Sequence, residues 1–214
     1  MTAKADTRFR RLKEKGSYDL QLARDIIDEA LICHVGFTVE QQPYVIPMSL
    51  GRDKDNILLH GSVASRLMKN LGEGLPCCLT ITHLDGLVMA RSAFNSSMNY
   101  RSLMVFGTAR VVSDPAEKKR GFDILVEHLL PGRLAELRDS TRKEINATTL
   151  LSLPLETFSI KVGDGPPDDA RADMDATVWA GVIPLEIKAG RPQAAPDLKD
   201  GIALPAYLEG ENDK

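Results

Sequence analysis

The sequence predicts an α+β protein, mainly β: a barrel of about six antiparallel strands with flanking helices. Two observations carry this. Between residues 31 and 113 short apolar runs are separated by Gly, Asp, Asn and Pro, as strands and turns require. Helical spacing and helix-start signals occur only at the ends of that region and once within it.

After a basic leader, Ser17 is expected to cap a helix from about Asp19 to Ala30, with Leu22, Ala23, Ile26, Ile27 and Ala30 on one face. Strand patterning follows in LICHVGFTV, in YVIPMSLGR after a turn at Gln41 to Pro43, and in ILLHG after the charged turn DKDN. In series these read as a three-stranded meander. A short helix is expected from about Ala64 to Leu71. PCCLTITHL and GLVMARSAF then form a hairpin across Asp85-Gly86. NYRSLMVFGTARVVS is a long strand, and Gly107 within it marks a bulge or tight bend. Asp114 to Glu117 reads as a capping box with proline at the first helical position, Thr141 to Glu144 as a second box, and TFSIKVG as a final strand. GDGPPDDARADMD is an exposed connector, and the proline-bearing segment beyond Trp179 is extended. The resulting division is a leader and helix over 1–30, a barrel over 31–163 with a helical insertion over 114–153, and a tail over 164–214 that packs on the barrel or on a partner chain.

With 43% hydrophobic and 27% charged residues and a net charge of −3, the chain has a globular composition without a general pull toward nucleic acid or anionic lipid. No stretch approaches the ~20 apolar residues needed to cross a membrane. The expected partners are a small-molecule substrate and a second copy of the chain, with no nucleic acid and no membrane. Cys33, Cys77 and Cys78 do not form a disulfide framework, which fits a cytoplasmic location.

Chemistry concentrates in two segments. In ILLHGSVASRLMKNL a strand ending at His60-Gly61 passes into a helix start bearing Ser62, Ser65, Arg66 and Lys69, an arrangement suited to a phosphate or to ordinary helix capping. In ARSAFNSSMNYRSLMVFG, Arg91, Ser92, Asn99, Arg101 and Ser102 lie among apolar neighbours, either as a solvent face or as ligand contacts across an interface. His34 and His83 read as structural histidines.

Together, HVGFTVEQQPYVIPMSLGR, ILLHGSVASRLMKNL, LDGLVMARSAF, NYRSLMVFGTARVVSD and VWAGVIPL resemble the FMN-binding split-barrel proteins related to pyridoxamine 5'-phosphate oxidase, over about residues 10 to 190. Within that superfamily the chain is similar to the flavin-nucleotide-binding branch that includes Nim-type nitroimidazole reductases. The resemblance implies a six-stranded split barrel, FMN as cofactor, and a homodimer with shared flavin sites. Ile46, Pro47 and Met48 would line the ring. His60, Gly61, Ser62, Ser65 and Arg66 would hold the phosphate, with Lys69 replacing the cation that relatives carry where this chain has Leu67. Arg91, Ser92, Asn99, Arg101, Ser102 and Trp179 would complete the site, some of them from the second subunit. The implied activity is flavin-dependent oxidoreduction of a small electron-poor substrate; flavin sequestration without catalysis, or haem held by His60 or His34, are the alternatives. Vitamin B6 oxidation is not implied, because Trp179 is followed by Ala180-Gly181-Val182 rather than an arginine motif.

Overall fold

The structure, a computed structural model, describes residues 5–208. The ends of the expected leader and tail lie outside them. Two antiparallel sheets share one core. The larger runs β1 (Gly16–Ser17), β10 (Thr157–Gly163), β7 (Ser97–Thr108), β6 (Pro76–Met89), β2 (Cys33–Val39), β3 (Gln42–Met48), with β11 (Gly181–Pro184) added on the distal half of β6. The smaller runs β4 (Gly51–Asp53), β5 (Asn56–Ser62), β9 (Thr148–Pro154), β8 (Arg110–Val111). Helices are α1 (Leu20–Glu29), α2 (Arg66–Gly72), α3 (Pro115–Leu129) and α4 (Arg142–Ala147).

The chain changes sheet four times, after β3, β5, β7 and β9, and at the first and third crossings a core residue anchors the step: Leu50 is fully buried and Ala109 nearly so. Val35, Phe37, Leu79, Ile81, Leu103 and Val105 from the larger sheet meet Ile57, Leu59, Leu151 and Leu153 from the smaller. Alternation along each strand supplies one inward face, and burying it is the main stabilising term. The apolar face of α1 closes one side with Ala23, Ile26 and Ile27, and α2 contributes Leu67, Met68 and Leu71. A second cluster, Leu58, Val112, Leu125 and Leu150, seats α3 on the outside of the smaller sheet.

Several local expectations are corrected. Asp19, not Ser17, caps α1, its carboxylate accepting from the Leu22 amide at 2.7 Å; Ser17 lies in β1 opposite Ile160. YVIPMSLGR is two strands in different sheets, so β5 does not continue the β2–β3 meander. Asp85-Gly86 is no hairpin: β6 runs through it with a register shift between Leu84 and Gly86, a bulge that bends one long strand. Gly107 stays in register opposite Cys77, and the expected bend falls instead at Ala109, between β7 and β8. Residues 148–154, within the expected helical stretch, form β9, whose Leu150, Leu151, Ser152 and Leu153 are all buried. A strand buried on both faces has no period-two signature, which is why sequence patterning misses it. The box at Thr141 and Glu144 is reciprocal, whereas at α3 Asp114 caps Glu117 but the Glu117 carboxylate turns to Arg110.

Candidate functional site

At the β5–α2 junction the Ser65 hydroxyl accepts from the Met68 amide at 3.5 Å and the Ser62 hydroxyl from the Ala64 amide at 3.2 Å. Both hydroxyls thus shape the turn itself. Gly61 is required by packing, since a Cβ there would stand 2.8 Å from Met68 Cγ. Arg66 projects over β3 with its guanidinium carbon 4.7 Å from the Tyr44 ring centroid, and Tyr44 stacks on Phe37. Arg66 and Lys69 are exposed and neither has a carboxylate partner among the described residues. Leu67 is 5% exposed in the core, so helical periodicity places this position inside, where an ammonium could not stay hydrated.

Beside this junction β3 is an edge strand, paired only with β2. Ile46 and Met48 lie opposite Val35 and Cys33 and lean on the core, while Pro47, opposite His34, and Val45 face outward. The open edge of β3 therefore presents main-chain groups next to Arg66.

His60 departs from the junction. Alternation along β5 turns it, with Leu58, away from the shared core and into a cavity of about 240 Å³ walled by Phe122, Leu125, Val126 and Leu129 of α3 and Ile145 of α4. Its Nδ1 is buried with no hydrogen-bond partner. Burial disfavours the imidazolium and lowers the pKa below the ordinary 6.5. A neutral imidazole thus borders a mostly apolar cavity whose lining also includes Ser140, Glu144 and Thr148. His83 and His128 instead bond to backbone carbonyls, Ile26 O at 2.9 Å and Ala30 O at 2.6 Å. His34 lies exposed on the outer face of β2.

The remaining expected contacts are engaged elsewhere within the chain. Arg91 and Ser92 lie in the β6–β7 connection, not in strands. The Asp169 carboxylate, 1% exposed, accepts from the Arg91 amide at 2.7 Å and from Arg91 Nη1 at 2.8 Å. Ser92 caps that connection through the Asn95 amide, Asn95 donates to Asp168 O, and Asn99 donates to Gly165 O at 3.1 Å. These side chains clamp the tail. Arg101 sits at the β6 bulge, donating through Nε and Nη2 to Asp85 at 3.1 and 2.9 Å and through Nη1 to Glu29 of α1 at 2.9 Å. Ser102 donates to Lys161 O at 3.3 Å. Trp179 is 67% exposed and folds against Gly181. Sequence reasoning missed Asp169 and Asp85; the only signal was a set of strand arginines in need of partners.

The family described as pyridoxamine 5'-phosphate oxidase matches residues 19–162. The chain belongs to the pyridoxamine 5'-phosphate oxidase family. Among solved structures it is similar to the FAD and haem binding protein from Mycobacterium smegmatis, at 40% identity over 91% of this chain and 96% of that one, TM-score 0.88. It is likewise similar to the flavocytochrome Anf3 from Azotobacter vinelandii, at 37% identity over 95% and 94%, TM-score 0.89. A protein described as a 5-nitroimidazole antibiotic resistance protein, from Bacteroides thetaiotaomicron VPI-5482, shares the fold at 24% identity over 69% and 86%, TM-score 0.58. No curated protein matches. The two sheets and their crossings are thus the split barrel of the pyridoxamine 5'-phosphate oxidase family. The family match ends at Val162, so the segment that Arg91, Asn95 and Asn99 fasten down lies beyond the family's common core.

Proposed function

We propose that this chain is a flavin- and haem-binding oxidoreductase, carrying the flavin along the open edge of β3 and the haem in the cavity behind His60. The observation that carries the reading is the His60 imidazole, its Nδ1 buried and unpartnered, facing an apolar cavity in a chain 40% identical to a protein named for FAD and haem. The residues fit both groups. Arg66 and Lys69, free of carboxylates, suit the flavin's phosphate, with Ile46, Pro47 and Met48 beside the ring. Phe122, Leu125, Val126, Leu129 and Ile145 suit the faces of a porphyrin, and burial keeps His60 neutral and ready to ligate. When bound, the flavin supplies hydride acceptance with one-electron release, and the haem a one-electron centre. The protein's part is to exclude water with the α3 wall, hold the imidazole deprotonated and fix the phosphate. The acceptor is a small electron-poor molecule.

The flavin site is shared between two copies of the chain. Within one copy Arg101, Arg91 and Asn99 are engaged and Trp179 lies exposed, so none of these four covers a ring at β3. A second copy's Trp179 supplies that cover.

The visible absorption spectrum of the purified protein, with mass analysis of what acid releases, tests both parts. A flavin band and a Soret band are expected, with His60→Ala removing the Soret band and leaving the flavin. Protein loaded with excess FMN or FAD that retains none refutes the flavin site; haemin binding unchanged by His60→Ala refutes the haem site. If the loaded, reduced protein passes electrons to no acceptor faster than free flavin does, sequestration replaces oxidoreduction.

A further inference from the structure

The basic leader has no part in either cofactor site, yet its residues build a groove. Residues 6–11 lie along the outer face of β7 and β10, and the space between, about 400 Å³, is of the size that small-molecule sites occupy. The segment is held in place at three points. Tyr18 Oη donates to Thr7 O at 2.8 Å, the Phe9 and Tyr18 rings lie 5.2 Å apart, and Phe9 rests on Gly16, where a Cβ would meet its ring at 2.3 Å. Asp6 gathers the guanidinium groups of Arg8 and Arg10, at 2.8 and 3.2 Å. Arg11 and Lys161 have no carboxylate partner among the described residues and line the same groove. One acidic side chain among four cations leaves the groove positive in a chain whose net charge is −3. Met104, 40% exposed, and Phe106 supply the groove's apolar part, with Ser159 also lining it.

Cations on the leader and on β10 beside the apolar side chains of β7 match a phosphorylated aromatic. We propose that this groove seats the adenosine diphosphate portion of a dinucleotide, its phosphates toward Arg11 and Lys161 and its purine on Met104 and Phe106. Two sources share that chemistry: FAD, whose adenylate half would occupy the groove, and a nicotinamide dinucleotide acting as electron donor. The inference does not require the flavin site to exist, because adenosine diphosphate alone is the probe.

Isothermal titration calorimetry of the full chain with adenosine diphosphate, FMN, FAD and NADPH tests it, using wild type, Arg11→Ala/Lys161→Ala, and Met104→Glu. Thermal melts check that the exposed substitutions leave folding intact. The expected result is adenosine diphosphate binding that weakens about tenfold or more in both variants, with FMN binding unchanged. A parallel loss for FAD assigns the groove to the flavin's adenylate; a parallel loss for NADPH assigns it to the donor. Absence of adenosine diphosphate binding to wild type, or equal binding by all three proteins, overturns the proposal. Failure of FMN to bind any of them sinks the flavin reading and leaves this result standing.

Discussion

His60 carries a pH signature that follows from its burial. Its pKa in the native protein lies below 6.5, so the unfolded chain takes up a proton over a range where the native chain does not. The stability associated with the neutral imidazole is whole above about pH 6.5 and is lost as pH falls through that value toward the native pKa. Thermal melts of the haem-free protein from about pH 7.5 down to about pH 5 should show a decline that His60→Leu reduces. A variant with an identical decline would mean that other groups dominate. Arg101 makes a separate prediction. It is 27% exposed and joins the β6 bulge to α1 through Asp85 and Glu29. Arg101→Ala should cost about 1–2 kcal/mol, between an exposed pair and a buried one, and lower the melting temperature by roughly 2–8 °C. Flavin content at equal folding should not change, because the side chain is committed to the bulge; a selective loss of flavin would instead place Arg101 in a partner's site.

Helix α3 walls the cavity beside His60, the proposed haem site, and one residue sets how closely the helix approaches the sheet. Gly121 faces β9, where a Cβ would lie 2.3 Å from Leu150 Cδ2, and Leu150 is 1% exposed in the cluster beneath the helix. In an exposed helix alanine would gain about 1 kcal/mol over glycine. Here contact decides the sign. Gly121→Val should destabilise by about 1–3 kcal/mol and lower haem retention with the flavin content maintained, as measured by melting and by absorption after gel filtration. How much of this was legible follows from the kind of signal each element leaves. The apolar face of α1, the reciprocal box at α4 and the strand TFSIKVG are local patterns, and the sequence displays them. The sheet changes at Leu50 and Ala109, the bulge at Asp85 and the doubly buried β9 arise from tertiary packing and leave no periodic trace. The same holds for the site. The junction of Gly61, Ser65 and Arg66 could be read from adjacent residues, but the side of β5 on which His60 emerges depends on a helix more than fifty residues further on. The Arg91–Asp169 clamp spans 78 residues, beyond the reach of any spacing rule.

At the scale of the whole molecule, two sheets around one core leave the β3 edge and the distal arm of β6, β7 and β11 uncovered. Val45 is 68% exposed on the first, and Phe94, Met98 and Trp179 are exposed on the second. The proposed pairing of two copies over these surfaces would give a flavin affinity that depends on protein concentration. Dilution below the dimer dissociation constant should release flavin, followed as recovery of its fluorescence; tight retention by a demonstrated monomer would refute the shared site. The tail has a consequence of its own. It is moored at Asp169, again where β11 lies on β6, and finally at Tyr207, whose hydroxyl donates to Glu136 at 2.7 Å and whose ring covers Gly132. From residue 186 to 204 it runs exposed without regular structure. A protease that cuts once in that span would therefore yield a two-piece protein that still elutes as one species under native conditions and separates only in denaturant, its C-terminal fragment held at Tyr207.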